Sequence, residues 1–218
     1  MRIKLAPICA LLGLSIAAPI VHAESLVDGD ADAGKTKAIT CTACHGPQGN
    51  SQNPLWPNIA GQHAKYTIDQ LQAFKAGMQP EAPKDGVRKD ALMSSQAMLL
   101  SDEDMADLAV YFENLPGAAQ AVADVDLIDR GEALYRGGDL ENKASACIAC
   151  HGPTGRGNPA AGYPALQGQH AVYTAKQLRD YKSGARTSDG KTRQMRDIAA
   201  RLDDKDIEAL ASYVQGLR

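Results

Sequence analysis

A five-residue pattern, Cys-x-x-Cys-His, occurs twice in this 218-residue chain, at 41–45 and at 147–151. Further matches follow both copies, first with a shift of 106 or 107 residues and then, after a shorter loop, with a shift of 102. The matched pairs include Gly46 and Gly152, Pro57 and Pro164, Tyr66 and Tyr173, Met93 and Met195, and Tyr111 and Tyr213. An internal repeat of this length indicates two homologous domains, each of a size at which one core is expected.

The repeat, together with the helix-ending residues between its two copies, predicts the domain boundaries. Pro116 and Gly117 end a helix pattern, and an alanine-rich stretch follows, which is typical of a linker. We expect a leader at 1–23, a first domain at 24–115, a linker at 116–126 and a second domain at 127–218.

The Cys-x-x-Cys-His pattern is the signature of covalent c-type haem attachment. Residues three and four apart share one face of a helix, so Cys41 and Cys44 can form thioethers with the two vinyl groups of one porphyrin. His45 then offers an imidazole nitrogen to the iron. The second motif supplies the same set from Cys147, Cys150 and His151. The sequence therefore predicts two covalently attached haem c groups.

The ligand on the other side of each iron is usually methionine or histidine, and methionine raises the reduction potential. The first copy contains Met78, Met93, Met98 and Met105, whereas the second contains only Met195. Because the copies align, Met195 selects Met93, and Met98 is the alternative. Methionine also serves as core filler, but Met195 lies between polar residues in a predicted loop, which favours a ligand.

Two histidines are rival ligands, His63 and His170, each within Gly-Gln-His-Ala at a predicted helix start. We favour a simpler interpretation, in which they are polar residues on the surface or near a propionate. Pro57 and Pro164 follow the motif histidines by 12 and 13 residues. Their carbonyl groups could accept the second imidazole N–H, or both could be ordinary loop prolines.

The first residues read as a secretory signal. Arg2 and Lys4 precede an uncharged, mostly apolar stretch at 5–21, and small residues at 21 and 23 fit a cleavage site after Ala23. The alternative is a retained anchor, but 17 residues interrupted by proline and glycine fall short of the ~20 that a spanning helix needs. We therefore expect cleavage after Ala23 and a periplasmic protein.

Composition after cleavage fits this location. Cys9 leaves with the leader, and the four remaining cysteines all lie in the two motifs, so no thiol stays free in an oxidising compartment. Loss of Arg2 and Lys4 leaves 21 basic residues against 26 acidic ones, a net charge of −5. This balance argues against a nucleic-acid partner.

Helical periodicity dominates both halves, and no strand pattern is found. We predict a short helix at 33–40, longer helices at 63–76 and 170–183, and a final helix in each half capped by Ser101 or Asp203. Gly77 and Gly184 are expected at helix C-termini. Gly34 and Gly131 could allow a close helix crossing or simply start a helix. About nine extra residues, near 137–146, precede the second motif.

Together these residues resemble class I cytochrome c. In each half the order of elements is a short helix, the haem motif, a loop that contains Pro57 or Pro164, a helix, a methionine loop and a final helix. Two copies behind a signal peptide are similar to the cytochrome c4 family. The resemblance implies an all-α fold of two tandem class I cytochrome c domains related by a pseudo-twofold, with haem propionates near the interface. It also implies that the Pro57 and Pro164 carbonyls hold the ligand histidines.

The resemblance further implies a periplasmic electron carrier between a quinol-oxidising complex and a terminal oxidase, often of the cbb type. Filled axial positions leave no site for a substrate, so we expect an electron carrier and no enzyme. The enzymatic alternative is a dihaem peroxidase, which needs one labile ligand. A third interpretation, zinc sites or dithiols, lacks further cysteines near either pair and a preceding strand.

Overall fold

A computed structural model describes residues 25–218, so the predicted leader and its cleavage after Ala23 lie outside the described residues. The first half folds into α1 (Ala31–Lys37), α2 (Ile39–His45), α3 (Ala64–Gly77), α4 (Ala91–Met98) and α5 (Asp102–Glu113). The second half folds into α6 (Ile128–Gly137), α7 (Ile148–His151), α8 (Ala171–Ser183), α9 (Gln194–Ala199) and α10 (Asp204–Gly216), with 3₁₀ turns at Val125–Leu127 and Gly190–Thr192.

The expectation of an all-α fold is confirmed. Between residues 25 and 218 the only extended pairing consists of two isolated bridges, Asp139 with Ala144 and Asn158 with Tyr163. The first bridge closes the insert at 137–146 into a turn beside α6. None of the helices in this range combines the length and the apolar character needed to cross a membrane.

The first and last helices of each half cross at a glycine. A Cβ atom on Gly34 in α1 would lie 2.1 Å from the carbonyl oxygen of Asp107 in α5. A Cβ atom on Gly131 in α6 would lie 2.4 Å from the carbonyl oxygen of Ala209 in α10. Only glycine permits backbones to approach this closely, so the predicted close helix crossing is confirmed in both halves.

Replacing Gly34 or Gly131 by alanine is therefore expected to destabilise its half by about 1–3 kcal/mol, the usual cost of forcing extra volume into a packed contact. Urea unfolding of each variant measures the loss. Gly137→Ala is the matched control, because no atom lies within 4 Å of a Cβ there and its φ is not positive. Equal stability of Gly34→Ala and the control would contradict the crossing.

Helix ends follow the sequence with two exceptions. Ser101 and Asp203 cap α5 and α10 as predicted, and each forms a capping box. Gly184 lies at the predicted C-terminus of α8, where it takes the left-handed conformation. Gly77 instead belongs to α3, where a Cβ would lie 2.0 Å from the Arg88 carbonyl oxygen. The predicted helix at 33–40 divides at Ala38 into α1 and α2.

The two halves meet through reciprocal hydrogen bonds that follow the pseudo-twofold of the repeat. The Gln62 side chain donates to the carbonyl oxygen of Ala165 at 2.9 Å and accepts from its N–H at 3.0 Å. The Gln169 side chain donates to the carbonyl oxygen of Asn58 at 2.8 Å and accepts from its N–H at 2.9 Å. Each glutamine thus makes the same two bonds to the loop of the other half, as expected for two halves related by an approximate twofold rotation.

Candidate cofactor sites

Each cysteine motif lies on one helical turn. Cys41, Cys44 and His45 form the last turn of α2, and Cys147 caps α7, which ends at His151. The four cysteines are free and half-buried, and neither pair forms a disulfide. Paired thiols on one face and a histidine beside them are the arrangement that attachment of one porphyrin requires.

The two motif histidines are buried and fixed by backbone carbonyls. His45 Nδ1 donates to the carbonyl oxygen of Pro57 at 2.8 Å, and His151 Nδ1 donates to that of Pro164 at 2.9 Å. Each ring is 6% exposed, and burial lowers the pKa of both imidazoles. Because Nδ1 carries the proton, Nε2 keeps its lone pair for a metal. The predicted role of the two proline carbonyls is confirmed.

The first thiol of each motif faces apolar side chains. Cys41 packs against a cluster that contains Leu108 and Phe112, and Cys147 packs against the larger cluster around Leu134. Burial raises the pKa of Cys147 to about 11 and also raises that of Cys41. Buried neutral thiols are poor ligands for a bare cation but are well placed against an apolar macrocycle.

A bare zinc ion has no adequate ligand set in the described part of the chain. Among residues 25–218, no three or more His, Cys, Asp and Glu side chains come together in a way that could hold a metal ion. Zinc bound by protein side chains alone needs four such ligands. The donors present, two thiols and one oriented imidazole per half, fit a haem instead.

The methionines occupy different environments. Met78 and Met98 are 53% and 42% exposed, and Met105 is fully buried in α5. Met93 and Met195 are both half-buried, each near the start of a short helix, α4 or α9. The expectation of a polar loop around Met195 is wrong, because Arg193 takes a left-handed conformation and starts the helix directly before it.

The two rival histidines begin α3 and α8 as predicted and lie at the contact between the halves, where His170 is buried rather than on the surface. His170 is 7% exposed, and its Nε2 donates to the carbonyl oxygen of Ser51 at 3.0 Å. His63 Nε2 donates to the carbonyl oxygen of Arg156 at 2.7 Å. Each histidine therefore bonds to the loop that follows the haem motif of the other half.

Sequence reasoning missed the polar residues that join the halves. Gln62, Gln169, Arg88 and Arg186 all bond across the contact. A signal for the glutamines existed, because both copies repeat Gly-Gln-His at matched positions. The arginines gave no such signal, since no shift of the repeat pairs them.

Comparison with known proteins settles the family. The family model for cytochrome c matches residues 31–116 and 128–218. Cytochrome c4 of Azotobacter vinelandii is 51% identical over 189 residues, which covers 87% of this chain and 90% of that protein. The chain belongs to the cytochrome c4 family. The crystal structure of reduced recombinant cytochrome c4 from Pseudomonas stutzeri matches with a TM-score of 0.83 and 50% identity, covering 88% of this chain and all of that one.

Cytochrome c4 proteins carry two covalent haem c groups, and the two motifs of this chain provide both attachment sites. The predicted tandem class I cytochrome c fold is confirmed by the same matches. A thiosulfate dehydrogenase electron acceptor from Thiomonas intermedia is also related, at 34% identity over 186 residues, covering 84% of this chain and 80% of that protein. The chain is thus a dihaem electron-transfer cytochrome.

Proposed function

We propose that this cytochrome c4 carries electrons in the periplasm from a quinol-oxidising complex to a terminal oxidase of the cbb type. The observation that carries the proposal is the pair of oriented, buried imidazoles, each at a Cys-x-x-Cys-His turn. Haem supplies reversible one-electron chemistry, and the protein tunes the potential through ligands, burial and hydrogen bonds.

The proposed ligand sets are His45 with Met93 and His151 with Met195. Matched positions in the repeat and half-burial of both methionines support this assignment. These residues would hold each iron through an imidazole nitrogen and a thioether sulfur, and would leave no coordination position for a substrate. The bound haem would supply one-electron transfer without making or breaking bonds to a substrate, as a carrier requires.

The proposed organisation follows the domain boundaries given above. A leader at 1–23 would be cleaved after Ala23, and the domains at 24–115 and 127–218 would be joined by the linker at 116–126. The four cysteines after residue 23 all lie in the two motifs, which supports the periplasmic location, because covalent haem attachment consumes thiols that would otherwise oxidise there. Respiratory complexes are the proposed partners, reached by contact from the aqueous side.

The donor has a second candidate. The related Thiomonas intermedia protein is by its name an electron acceptor of thiosulfate dehydrogenase. Its 34% identity is well below the 51% shared with the Azotobacter vinelandii cytochrome c4, which favours the respiratory role. Reduction of this protein by a quinol-oxidising complex, measured beside reduction by a thiosulfate dehydrogenase, separates the two donors.

The peroxidase alternative gives a direct test of the carrier function. We expect the fully reduced protein to bind carbon monoxide slowly and substoichiometrically at neutral pH, because both ligand positions are occupied. Stopped-flow absorbance after mixing with carbon monoxide measures this. Fast binding of one equivalent at either haem would demonstrate an open position and favour a peroxidase.

A further inference from the structure

Arg196 bonds to both ends of the turn that contains Met195. Its backbone N–H donates to one carboxylate oxygen of Asp189 at 2.9 Å, and its Nε donates to the other oxygen at 2.8 Å. Its Nη2 also donates to the carbonyl oxygen of Gly190. The side chains of Arg196 and Asp189 are 6% and 5% exposed, so water competes little for these bonds. We call residues 189–196, which this arginine ties end to end, the Met195 turn.

The other terminal nitrogen of this guanidinium reaches the first half of the chain. Arg196 Nη1 donates to Asp85 Oδ1 at 2.7 Å. Asp85 lies in the loop between α3 and α4, 111 positions away along the chain, and its side chain is 40% exposed. A charged hydrogen bond with one buried partner is stronger than a fully exposed ion pair, because solvent screens it less. A carboxylate of the first half therefore helps to hold the Met195 turn of the second half.

Backbone pairing fixes Asp85 beside the Met195 turn. The Gly86 N–H donates to the carbonyl oxygen of Thr187 at 2.8 Å, and the Thr187 N–H donates to that of Val87 at 3.1 Å. The Val87 N–H donates to the Thr187 hydroxyl at 3.2 Å, and both of these residues are buried. Asp85 is thus already in place for the arginine, so forming the ion pair costs little additional conformational entropy.

The residues that flank this backbone pairing also bond across the contact. Arg88, on one side, donates to the side-chain oxygen of Gln177 at 2.8 Å, and Arg186, on the other, donates to that of Gln70 at 2.7 Å. Each of these two glutamines accepts from both arginines. The loop that carries Asp85 is therefore fixed to the second half at several points besides the ion pair.

The matching turn of the first half is held within itself. The repeat shift of 102 matches the arginine with Ser94, whose hydroxyl accepts from the Asp90 N–H at 3.3 Å. The Asp90 carboxylate accepts from the backbone N–H groups of Leu92 and Met93 at 3.1 and 2.9 Å. These bonds join residues 90–94 to one another. The turn that carries Met93 thus has a local cap, whereas the Met195 turn also bonds to the other half.

We propose that Asp85 and Arg196 are positioning residues, through which the first half of the chain keeps Met195 available as the iron ligand of the second half. The proposal rests on the assignment of Met195 made above. A thioether is a soft ligand and ferric iron is the harder oxidation state, so the hold of the protein on the methionine matters most in the oxidised form. Contacts that orient a metal ligand typically change metal affinity by about 10- to 100-fold.

Competition with imidazole in the oxidised protein tests the proposal. Added imidazole displaces a loosely held methionine from ferric haem, which removes the far-red charge-transfer absorption of the methionine-bound form. Each haem is measured by itself, in a background where the methionine of the other half is replaced: Met93→His for the second haem and Met195→His for the first. The midpoint imidazole concentration then reports how firmly the remaining methionine is held.

Asp85→Ala is expected to lower the imidazole midpoint of the second haem about tenfold, the low end of the usual range, because Asp85 is 40% exposed and Asp189 remains. The midpoint of the first haem should change less than about twofold, since Asp90 caps the Met93 turn locally. The matched control is Glu81→Ala, which removes an exposed carboxylate from the same loop and should leave both midpoints within about twofold. Equal effects of Asp85→Ala on the two haems overturn the proposal.

A double-mutant cycle shows whether Asp85 acts through Arg196. In an Arg196→Gln background, Asp85→Ala should change the midpoint of the second haem less than about twofold, because the ion pair is already gone. A full tenfold effect in that background contradicts the proposal. Should Arg196→Gln not fold, the comparison of Asp85→Ala with Glu81→Ala decides, because both replace side chains that are at least partly exposed.

The starting spectrum separates failure of this proposal from failure of the ligand assignment. The Met93→His protein should show the methionine charge-transfer absorption before imidazole is added. Its absence would contradict Met195 as a ligand and, with it, the proposal. If the absorption is present and resists imidazole equally in Asp85→Ala and Glu81→Ala, only the positioning role is overturned.

Discussion

Met195→His is expected to lower the reduction potential of the second haem by on the order of 0.2 V, within the ~0.8 V range that axial ligands span. A thioether stabilises the reduced iron relative to a second imidazole, so its replacement favours the oxidised state. Met93→His should have the same effect on the first haem. A redox titration of both variants beside the unchanged protein measures the shifts and identifies which haem has the higher potential.

The control for this prediction is Met98→His. Met98 was the alternative ligand in the first half, but it is 42% exposed at the end of α4. We expect its replacement to leave both potentials within a few hundredths of a volt of the original values, because a side chain that does not bind the iron changes the potential far less than an axial ligand does. A large shift from Met98→His together with none from Met93→His would transfer the ligand role.

Replacing both cysteines of the first motif, in the double variant Cys41→Ser and Cys44→Ser, is expected to give a protein with one haem and an unfolded first half. The buried apolar clusters of that half hold only three residues each, Ala38 with Leu108 and Phe112, and Ala64 with Ala109 and Val110. Such a core cannot offset the conformational entropy of about 90 residues without the porphyrin. Intact mass and far-ultraviolet circular dichroism measure both losses.

The corresponding variant of the second motif, Cys147→Ser with Cys150→Ser, should lose its haem but keep more helix. Its core cluster contains eleven buried residues, including Tyr135, Ile207 and Leu210. Ala43→Ser, an exposed position inside the first motif, is the control and should retain both haems. Full native helicity after loss of the first pair would contradict the idea that the porphyrin completes that core.

Local spacing explains how much of the cofactor site could be read from the sequence. Thioether attachment depends on residues three apart on one helical turn, so the spacing of Cys41, Cys44 and His45 fixes their relative positions without any contact from elsewhere in the chain. The repeat then located the second site and both proline carbonyls without any knowledge of the fold. Capping boxes at Ser101 and Asp203 were likewise predictable, since a cap involves residues within one turn.

Errors arose where the path of the folded backbone, rather than local propensity, decides the conformation. Gly77 reads as a helix stop, yet it lies within α3 because the chain near Arg88 passes too closely for a side chain. Met195 reads as a loop residue, yet α9 begins one residue earlier, directly after the left-handed Arg193. Local propensity reveals neither feature, because the Arg88 carbonyl reaches Gly77 only when the loop after α3 folds back, and a left-handed conformation is uncommon for a residue other than glycine.

The sequence by itself determined two haem-binding helical domains, because attachment motifs, caps and an internal repeat all act over short separations. Only the tertiary structure decided how the domains face each other. Arg88 and Arg186 are 98 positions apart, a separation that matches none of the repeat shifts, yet the fold brings them onto the same two glutamines. Contacts across a pseudo-twofold depend on the packing of whole helices, and packing is not encoded in any one stretch of residues.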